Sequence, residues 1–327
     1  MTIPQKFVVC KGTSGMGNRI LAACTAILYG EISNRKVVID WRDNSYSDNN
    51  NENAFPTYFN CPTSYPIESL PVTNSIFPGL WRGNLDKSLG GLRSEMNIKS
   101  LSEISFDSSN IDYLEEIIVF CAYTHKIRSL QPLFTGKFEY LSKMTIPEIL
   151  SSVLNSKLQL VENIQNSISH YKQANFSSHT IGVHIRYTDI KVPLAKIIDK
   201  IESLANAEPD STVFLATDSQ VVVEHLKERF SKVITAEKWF PPKGERMHQN
   251  WDNCPSRYQN GLEAITDLYL LSECDKLVFS SKSSFGYVSS LLSKAKSQNV
   301  YDVEIDDSLL VRLQRKLKSM SKHRIRL

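Results

Sequence analysis

The chain has 327 residues, 41% apolar and 22% charged, with 38 basic against 35 acidic side chains and a net charge of +3. With a mean hydropathy of −0.25, this composition excludes a disordered, collagen-like or membrane-embedded chain, and its near-balanced charge argues against bulk nucleic-acid binding. A length beyond roughly 250–300 residues favours two domains over one core. In chain order, Phe7–Cys10 is a short apolar run, followed by Gly12, Gly15 and Gly17. Apolar residues then recur at helical spacing from Arg19 to Ile32, and Lys36–Asp40 reads as a second strand. Strand, glycine-rich turn, helix and strand make a βαβ unit, which implies a parallel sheet.

Residues 43–105 break this pattern: Asn, Ser, Asp and Pro are dense, with scattered aromatics. So long an irregular stretch in a compact domain usually carries function. A strand returns at Ile117–Cys121 and a long helical region runs from Ile146 to Tyr171. Polar Gln173–Ser178 reads as a linker. After it come strand Thr180–Ile185, helix Lys191–Leu204, strand Thr212–Thr217, helix Gln220–Phe230, strand Lys232–Ala236, helix Gly261–Cys274, strand Lys276–Ser280 and helix Ser284–Leu292. The expected organisation is an α/β chain with an N-terminal Rossmann-like domain over 1–175, a second over 176–300 and a basic tail over 301–327. Cys10, Cys24, Cys61, Cys121, Cys254 and Cys274 form no C-x-x-C pair, so reduced, buried thiols are expected. The first residues lack the order of an export signal, and no apolar run reaches the roughly 18–20 residues that span a bilayer, which points to the cytoplasm.

Candidate sites lie where strands end, because ligands of open α/β sheets bind beyond the carboxyl ends of the strands. Gly12–Arg19 spaces its glycines G-x-x-G-x-G, neither the dinucleotide fingerprint nor a P-loop. Gly15, Gly17 and Asn18 either expose helix N-terminal N–H groups to a phosphate or sugar, or simply make a tight turn. Asp40, about 20 residues on, stands where a dinucleotide fold holds a ribose. The run from Gly182 to Asp189 places His184 and Arg186 on one strand face. Arg186 either grips a diphosphate with its planar fork or pairs with Asp189 as a structural cap. Asp218 either reads a ribose or base, or caps the next helix. Ser283, Ser284 and Phe285 open a helix after Lys282. Asp267, in an apolar helix, needs a partner or lies on a polar stripe. The seven histidines form no metal-ligand set, so no metal is expected. The tail cations, from Arg312 to Arg326, are either a solvated helix end or a contact for acidic lipid or a negatively charged acceptor.

The order Gly15-Met16-Gly17-Asn18, His184 to Asp189, Leu215 to Asp218 and then a serine-rich strand end resembles the α1,6/α1,2/protein-O-fucosyltransferase superfamily. Val38–Arg42 with Asn53–Pro56 is similar to the nodulation fucosyltransferases, and Arg257–Gly261 leading to Asp267 is similar to the core α1,6-fucosyltransferases. The resemblance implies a GT-B fold of two Rossmann-like domains facing across a cleft. It also implies inverting, metal-independent transfer of fucose from GDP-fucose to a glycan. By this resemblance Arg186 grips the donor diphosphate and His184 and Asp267 lie near the nucleoside. Asp218, Ser283 and Ser284 complete the donor side, Asp189 is structural, and Gly15–Asn18 face donor and acceptor. Tyr187 replaces a second arginine of the core enzymes, Lys191 lies one residue from their lysine, and Leu194 falls where their glutamate base is expected, so no base is assigned. Trp41, Arg42, Tyr46 and Phe55, with Tyr58 and Phe59, are the expected acceptor side, since sugars stack on aromatic faces; packing of a long loop is the other reading. Two other classes stay open: an NAD-dependent oxidoreductase, built on Gly12–Gly17 and Asp40, and a non-catalytic GDP-sugar or glycan-binding protein.

Overall fold

The computed structural model describes residues 5–43, 45–49, 51–189, 192–241 and 253–305; Lys191 and the basic tail from Arg312 lie outside them. β1 (Phe7–Lys11), α1 (Met16–Ser33) and β2 (Lys36–Asp40) form the first βαβ unit. The helix starts three residues before Arg19, because the glycine-rich turn runs directly into its first turn. Asn34, with φ of 53°, closes it in the left-handed region. α1 is buried almost all round, as a helix must be when it lies between a sheet and other helices.

The irregular region holds short pieces: α2 (Phe55–Tyr58), β3 (Phe59–Asn60), β4 (Ile76–Phe77) and α3 (Leu89–Glu95). β5 (Ile117–Cys121) and α4 (Ile127–Leu130) follow. Among the described residues, β2, β1, β5 and β4 in that order make a parallel four-stranded sheet.

Apolar spacing predicts one helical region from Ile146; the structure breaks it into α5 (Ile146–Lys157) and α6 (Glu162–Asn175) around β6 (Gln159–Leu160). The break follows from a tertiary contact, since β6 pairs antiparallel with β3, Leu160 against Phe59. Thr145 and Glu148 cap α5 reciprocally, the Glu148 carboxylate accepting from the Thr145 N–H at 2.7 Å.

The second half alternates regularly through β7 (Thr180–Ile185), α7 (Leu194–Ala207), β8 (Thr212–Thr217), α8 (Gln220–Arg229) and β9 (Val233–Ile234). It continues with α9 (Arg257–Ser272), β10 (Lys276–Phe279), α10 (Ser284–Leu292) and β11 (Val300–Asp302). Its sheet is parallel, in the order β11-β10-β7-β8-β9. β7 and β8 are buried along their whole length, which is why they read as continuous apolar runs.

The two sheets share one helical core. α6 takes in Gln173–Asn175, the first half of the expected linker, and α5 and α6 pack on α10 and α9 of the second half. Ser151 of α5 donates to the Leu291 carbonyl at 2.7 Å, and Tyr171 of α6 meets Phe214 of β8 with ring centroids 6.0 Å apart. α1 closes against α10 at Gly17, where a Cβ would lie 2.6 Å from the Ser284 carbonyl carbon. Only a glycine permits that approach. All six thiols are free, with Cys254 half-buried and the rest buried. Among the described residues no helix is long and apolar enough to cross a membrane.

Candidate active site at the junction of the two sheets

β7, β8 and β10 end at one edge of the second sheet, facing the N-termini of α1 and α10. Between them lies a cavity of about 380 Å³. Neither helix is capped by its own N-cap side chain: Gly15, before α1, has none, and Ser283, before α10, accepts no bond from its helix. Two sets of N–H groups at positive dipole ends therefore converge on one space, an arrangement that attracts anions.

Arg186, just past β7, is held by two carboxylates. Its Nε and Nη2 each reach Asp189 Oδ1 at 2.7 Å, and Nε lies 3.0 Å from Asp218 Oδ2. Asp218 also accepts from the Tyr187 N–H at 2.7 Å and from the Thr188 hydroxyl at 2.6 Å. Asp218 thus does not cap α8, where Ser219 is the N-cap residue; it orients Arg186, with both oxygens engaged. The Arg186–Asp189 pair is present as well, so the structural reading of this motif is true of the structure without exhausting it. Arg186 keeps about a fifth of its side chain open and lines the cavity.

His184 lies deeper. It is 5% exposed, stacks on Phe285 with centroids 5.1 Å apart, and its Nδ1 has no partner. Gly286 of α10 makes room for it, since a Cβ there would come within 2.8 Å of that nitrogen. Burial, with Arg186 and Lys238 adding repulsion, pushes its pKa down to about 3, so the imidazole is neutral at ordinary pH.

Asp267 of α9 has found a partner: Lys238, itself 3% exposed, forms an ion pair with its Oδ2. The other oxygen, Oδ1, is buried without a hydrogen bond. Burial raises the Asp267 pKa, outweighing the nearby lysine. Glu263, one turn earlier on the cavity wall, is also raised by burial, and it accepts from the Trp239 N–H at 3.0 Å. A buried carboxylate oxygen and an imidazole nitrogen without partners are costly unless a ligand satisfies them. Ser283 is buried at the start of α10. The Ser284 hydroxyl donates to Asn18 Oδ1, so Asn18 ties the two halves together, and its Nδ2 donates to the Tyr123 carbonyl at 2.6 Å.

The cavity brings together Gly15, Gly17, Asn18, His184, Arg186, Asp189, Asp218, Asp267, Ser283, Ser284 and Phe285. The expected acceptor side is different. Trp41 and Phe55 are 1% and 4% exposed and pack edge to face at 5.2 Å, so neither ring offers a face to a sugar. Tyr58 and Phe59 are buried as well. Arg42 is bound to Asp40, Nη2 to Oδ2 at 2.8 Å. Tyr46 alone of this group reaches the cavity wall, although it is 3% exposed. These aromatics are apolar enough to be the core beneath a long loop, and the fold uses them so. Asp40 is likewise closed off, because Lys11 Nζ takes its Oδ2 at 2.6 Å; no carboxylate is left there for a ribose, which removes the physical basis of a dinucleotide site in the N-terminal sheet.

Sequence reasoning missed Lys238, Glu263 and Tyr123. A buried acid in an apolar helix does imply a cation, but nothing in the sequence says which one. Among the described residues, no group of three or more His, Cys, Asp or Glu side chains is placed to hold a metal ion.

The family model for nodulation protein Z (NodZ) matches residues 4–95 and 152–321. Nodulation protein Z of Azorhizobium caulinodans is 24% identical over 94% of this chain and 94% of its own length. That of Bradyrhizobium diazoefficiens is 24% identical over 84% of this chain and 75% of its own. Among solved structures, the NodZ alpha-1,6-fucosyltransferase soaked with GDP-fucose is similar with a TM-score of 0.58 at 21% identity, over 88% of this chain and 93% of that one. POFUT1 in complex with GDP-fucose is similar with a TM-score of 0.54 at 11% identity, over 92% and 97%. The fold is of the GT-B type. With more than half its length matched by one family model, the chain belongs to the nodulation protein Z family.

Proposed function

We propose that the protein transfers fucose from GDP-fucose to a hydroxyl of a glycan acceptor, with inversion at the sugar carbon and without a metal ion. The observation that carries this reading is the convergence of two uncapped helix N-termini and Arg186 on one cavity. Such a site suits a diphosphate, and it lies in a chain whose family relatives and structural neighbours include fucosyltransferases. The division of labour follows the two sheets with one exception: residues from 176 onward, together with the start of α1, hold the donor, and the rest of the first 175 present the acceptor. Six free thiols are in keeping with action in the cytoplasm.

In this reading the diphosphate lies against Arg186, Ser283 and the helix starts, while the nucleoside enters toward His184, Asp267 and Lys238. The unpartnered Asp267 Oδ1 accepts from an N–H edge of the base, and neutral His184 adds no charge to that pocket. Breaking the bond between the sugar carbon and the β-phosphate sends its electron pair to the diphosphate. Preorganised donors stabilise that charge where it develops. The acceptor oxygen bonds to the carbon from the opposite face. Each described cavity carboxylate has a partner on at least one oxygen: Asp189 and Asp218 hold Arg186, Asp267 holds Lys238 and Glu263 takes a backbone N–H. Leu194, in the place of the core enzymes' glutamate, opens α7. With no base assigned, bond cleavage runs ahead of attack in this reading, and the acceptor proton leaves late, through water, to the departing diphosphate.

Calorimetry with GDP, GDP-fucose, GDP-mannose and NAD, in chelator, tests the reading. GDP and GDP-fucose are expected to bind and NAD not to. Binding of NAD alone would overturn it. GDP-fucose binding with no transfer to any glycan would leave a binding protein, a reading kept alive by the unassigned base.

A further inference from the structure

With Trp41 and Phe55 in the core, the expected acceptor side draws on another aromatic face, and among the described residues Tyr123 offers one. Tyr123 follows β5 at the carboxyl edge of the N-terminal sheet and lines the cavity. It is 45% exposed, whereas Tyr46 on the same wall is 3% exposed. An exposed ring is ordinary, but this one is fixed at both ends. Its hydroxyl accepts from Arg93 Nη1 at 2.7 Å, and Arg93, in the last turn of α3, is anchored by Nη2 to the Lys99 carbonyl at 3.1 Å. Its own carbonyl accepts from Asn18, whose Oδ1 takes the Ser284 hydroxyl at the start of α10.

We propose that Tyr123 is the platform on which a pyranose ring of the acceptor glycan stacks, and that Arg93 is the positioning residue that sets its angle. The inference rests on the transferase reading of the cavity. A tyrosine held in one orientation presents apolar area with little rotamer entropy left to lose, and the C–H face of a sugar is a matching apolar surface. The Asn18 bridge sets that platform in register with the donor serines, so the distance between the acceptor hydroxyl and the sugar carbon depends on a chain of three bonded side chains and one carbonyl.

The test is an array of neutral oligosaccharides ending in N-acetylglucosamine, galactose, glucose or mannose, probed with the full chain in saturating GDP, alongside calorimetry with GDP. Tyr123→Ala is expected to bind its best glycan at least tenfold more weakly than wild type, a change of about 1.4 kcal/mol, with GDP affinity kept. Tyr123→Phe, which keeps the face and drops the bond to Arg93, is expected to fall between the two, about threefold weaker than wild type; wild-type affinity there would remove the positioning role of Arg93. A Tyr123→Ala protein that binds the same glycan as wild type does overturns the platform. So does a wild type that binds GDP but holds no glycan on the array. A wild type that binds no GDP overturns the transferase reading instead.

Discussion

Both sheets end in charged residues, and the two edges use them in opposite ways. At the carboxyl edge of the N-terminal sheet, buried Lys11 and Asp40 form an ion-paired triad with half-buried Arg42, in which Lys11 also donates to the Leu85 and Lys87 carbonyls at 2.6 and 3.0 Å. Burial lowers the Lys11 pKa, and the two cations hold the Asp40 carboxyl below the usual carboxylate range. These charges face one another and tie down the loop above the sheet. At the carboxyl edge of the second sheet, Arg186 and Asp218 also have partners, but they stand on the wall of a cavity. Charge at a strand end therefore does not by itself mark a site. What separates the edges is whether space for a ligand remains once the local pairs have formed.

The largest effect that would sharpen this contrast is on stability alone. Asp40→Ala leaves Lys11 buried without a counter-charge, and removing one partner of a buried ion pair costs about 3–5 kcal/mol. Chemical denaturation should show that loss, while the folded fraction binds GDP as wild type does. A loss under about 1 kcal/mol would mean that the triad is solvated and the contrast false. Arg186→Ala tests the other edge. Loss of this preorganised donor should weaken transition-state stabilisation by about 3–4 kcal/mol, seen as a fall of some hundredfold to thousandfold in turnover. Arg186→Lys keeps the charge but not the fork and should recover only part of it. Normal turnover in Arg186→Ala would end its assignment to the diphosphate.

The two edges also differ in how far the sequence reveals them. Central parallel strands such as Thr180–Ile185 and Thr212–Thr217 are continuous apolar runs, so the point where each turns polar is visible, and Arg186 and Asp218 are found there. Lys238 has no such marker. It stands four residues beyond a two-residue strand and meets Asp267 only because α9 is folded against β8. β4 is equally silent, since Ile76 and Phe77 take their place in the sheet from pairing with β5. Trp41 and Phe55 show the converse limit: an aromatic in an irregular region has the same composition whether it greets a sugar or fills the core beneath the loop. Tyr123 escapes notice for a related reason, because its exposure is fixed by Arg93 and Asn18, 30 and 105 residues away in sequence.

Contact between the halves can be broken at one atom. Gly17→Ala would bring a Cβ within 2.6 Å of the Ser284 carbonyl carbon and 2.7 Å of the Phe285 nitrogen. Both are backbone atoms that cannot swing aside, so α1 and α10 must separate. Overpacking of this kind costs about 1–3 kcal/mol. GDP affinity should fall with it, because the two helix starts that converge on the cavity move apart. A variant as stable and as tightly binding as wild type would show that the seam does not set the site.

The smallest effect is on pH dependence, and its sign follows from His184. The folded imidazole is depressed to about 3 from 6.5, so below pH 6.5 the unfolded chain binds a proton that the folded chain refuses. Stability from this group is complete above pH 6.5 and is lost as pH falls toward 3, by about 2 kcal/mol between pH 7 and pH 5. Asp267, raised by the same burial, acts in the opposite direction, because its folded form prefers the proton. The difference between wild type and His184→Gln in chemical denaturation therefore isolates the imidazole: the variant should lose less stability on acidification. Diphosphate bound beside Arg186 would offset the cation that repels the imidazolium, so saturating GDP should reduce the acid loss of wild type further. Parallel pH profiles for wild type and His184→Gln would mean that the imidazole is hydrated and that the orphaned Nδ1 does not mark the nucleoside pocket.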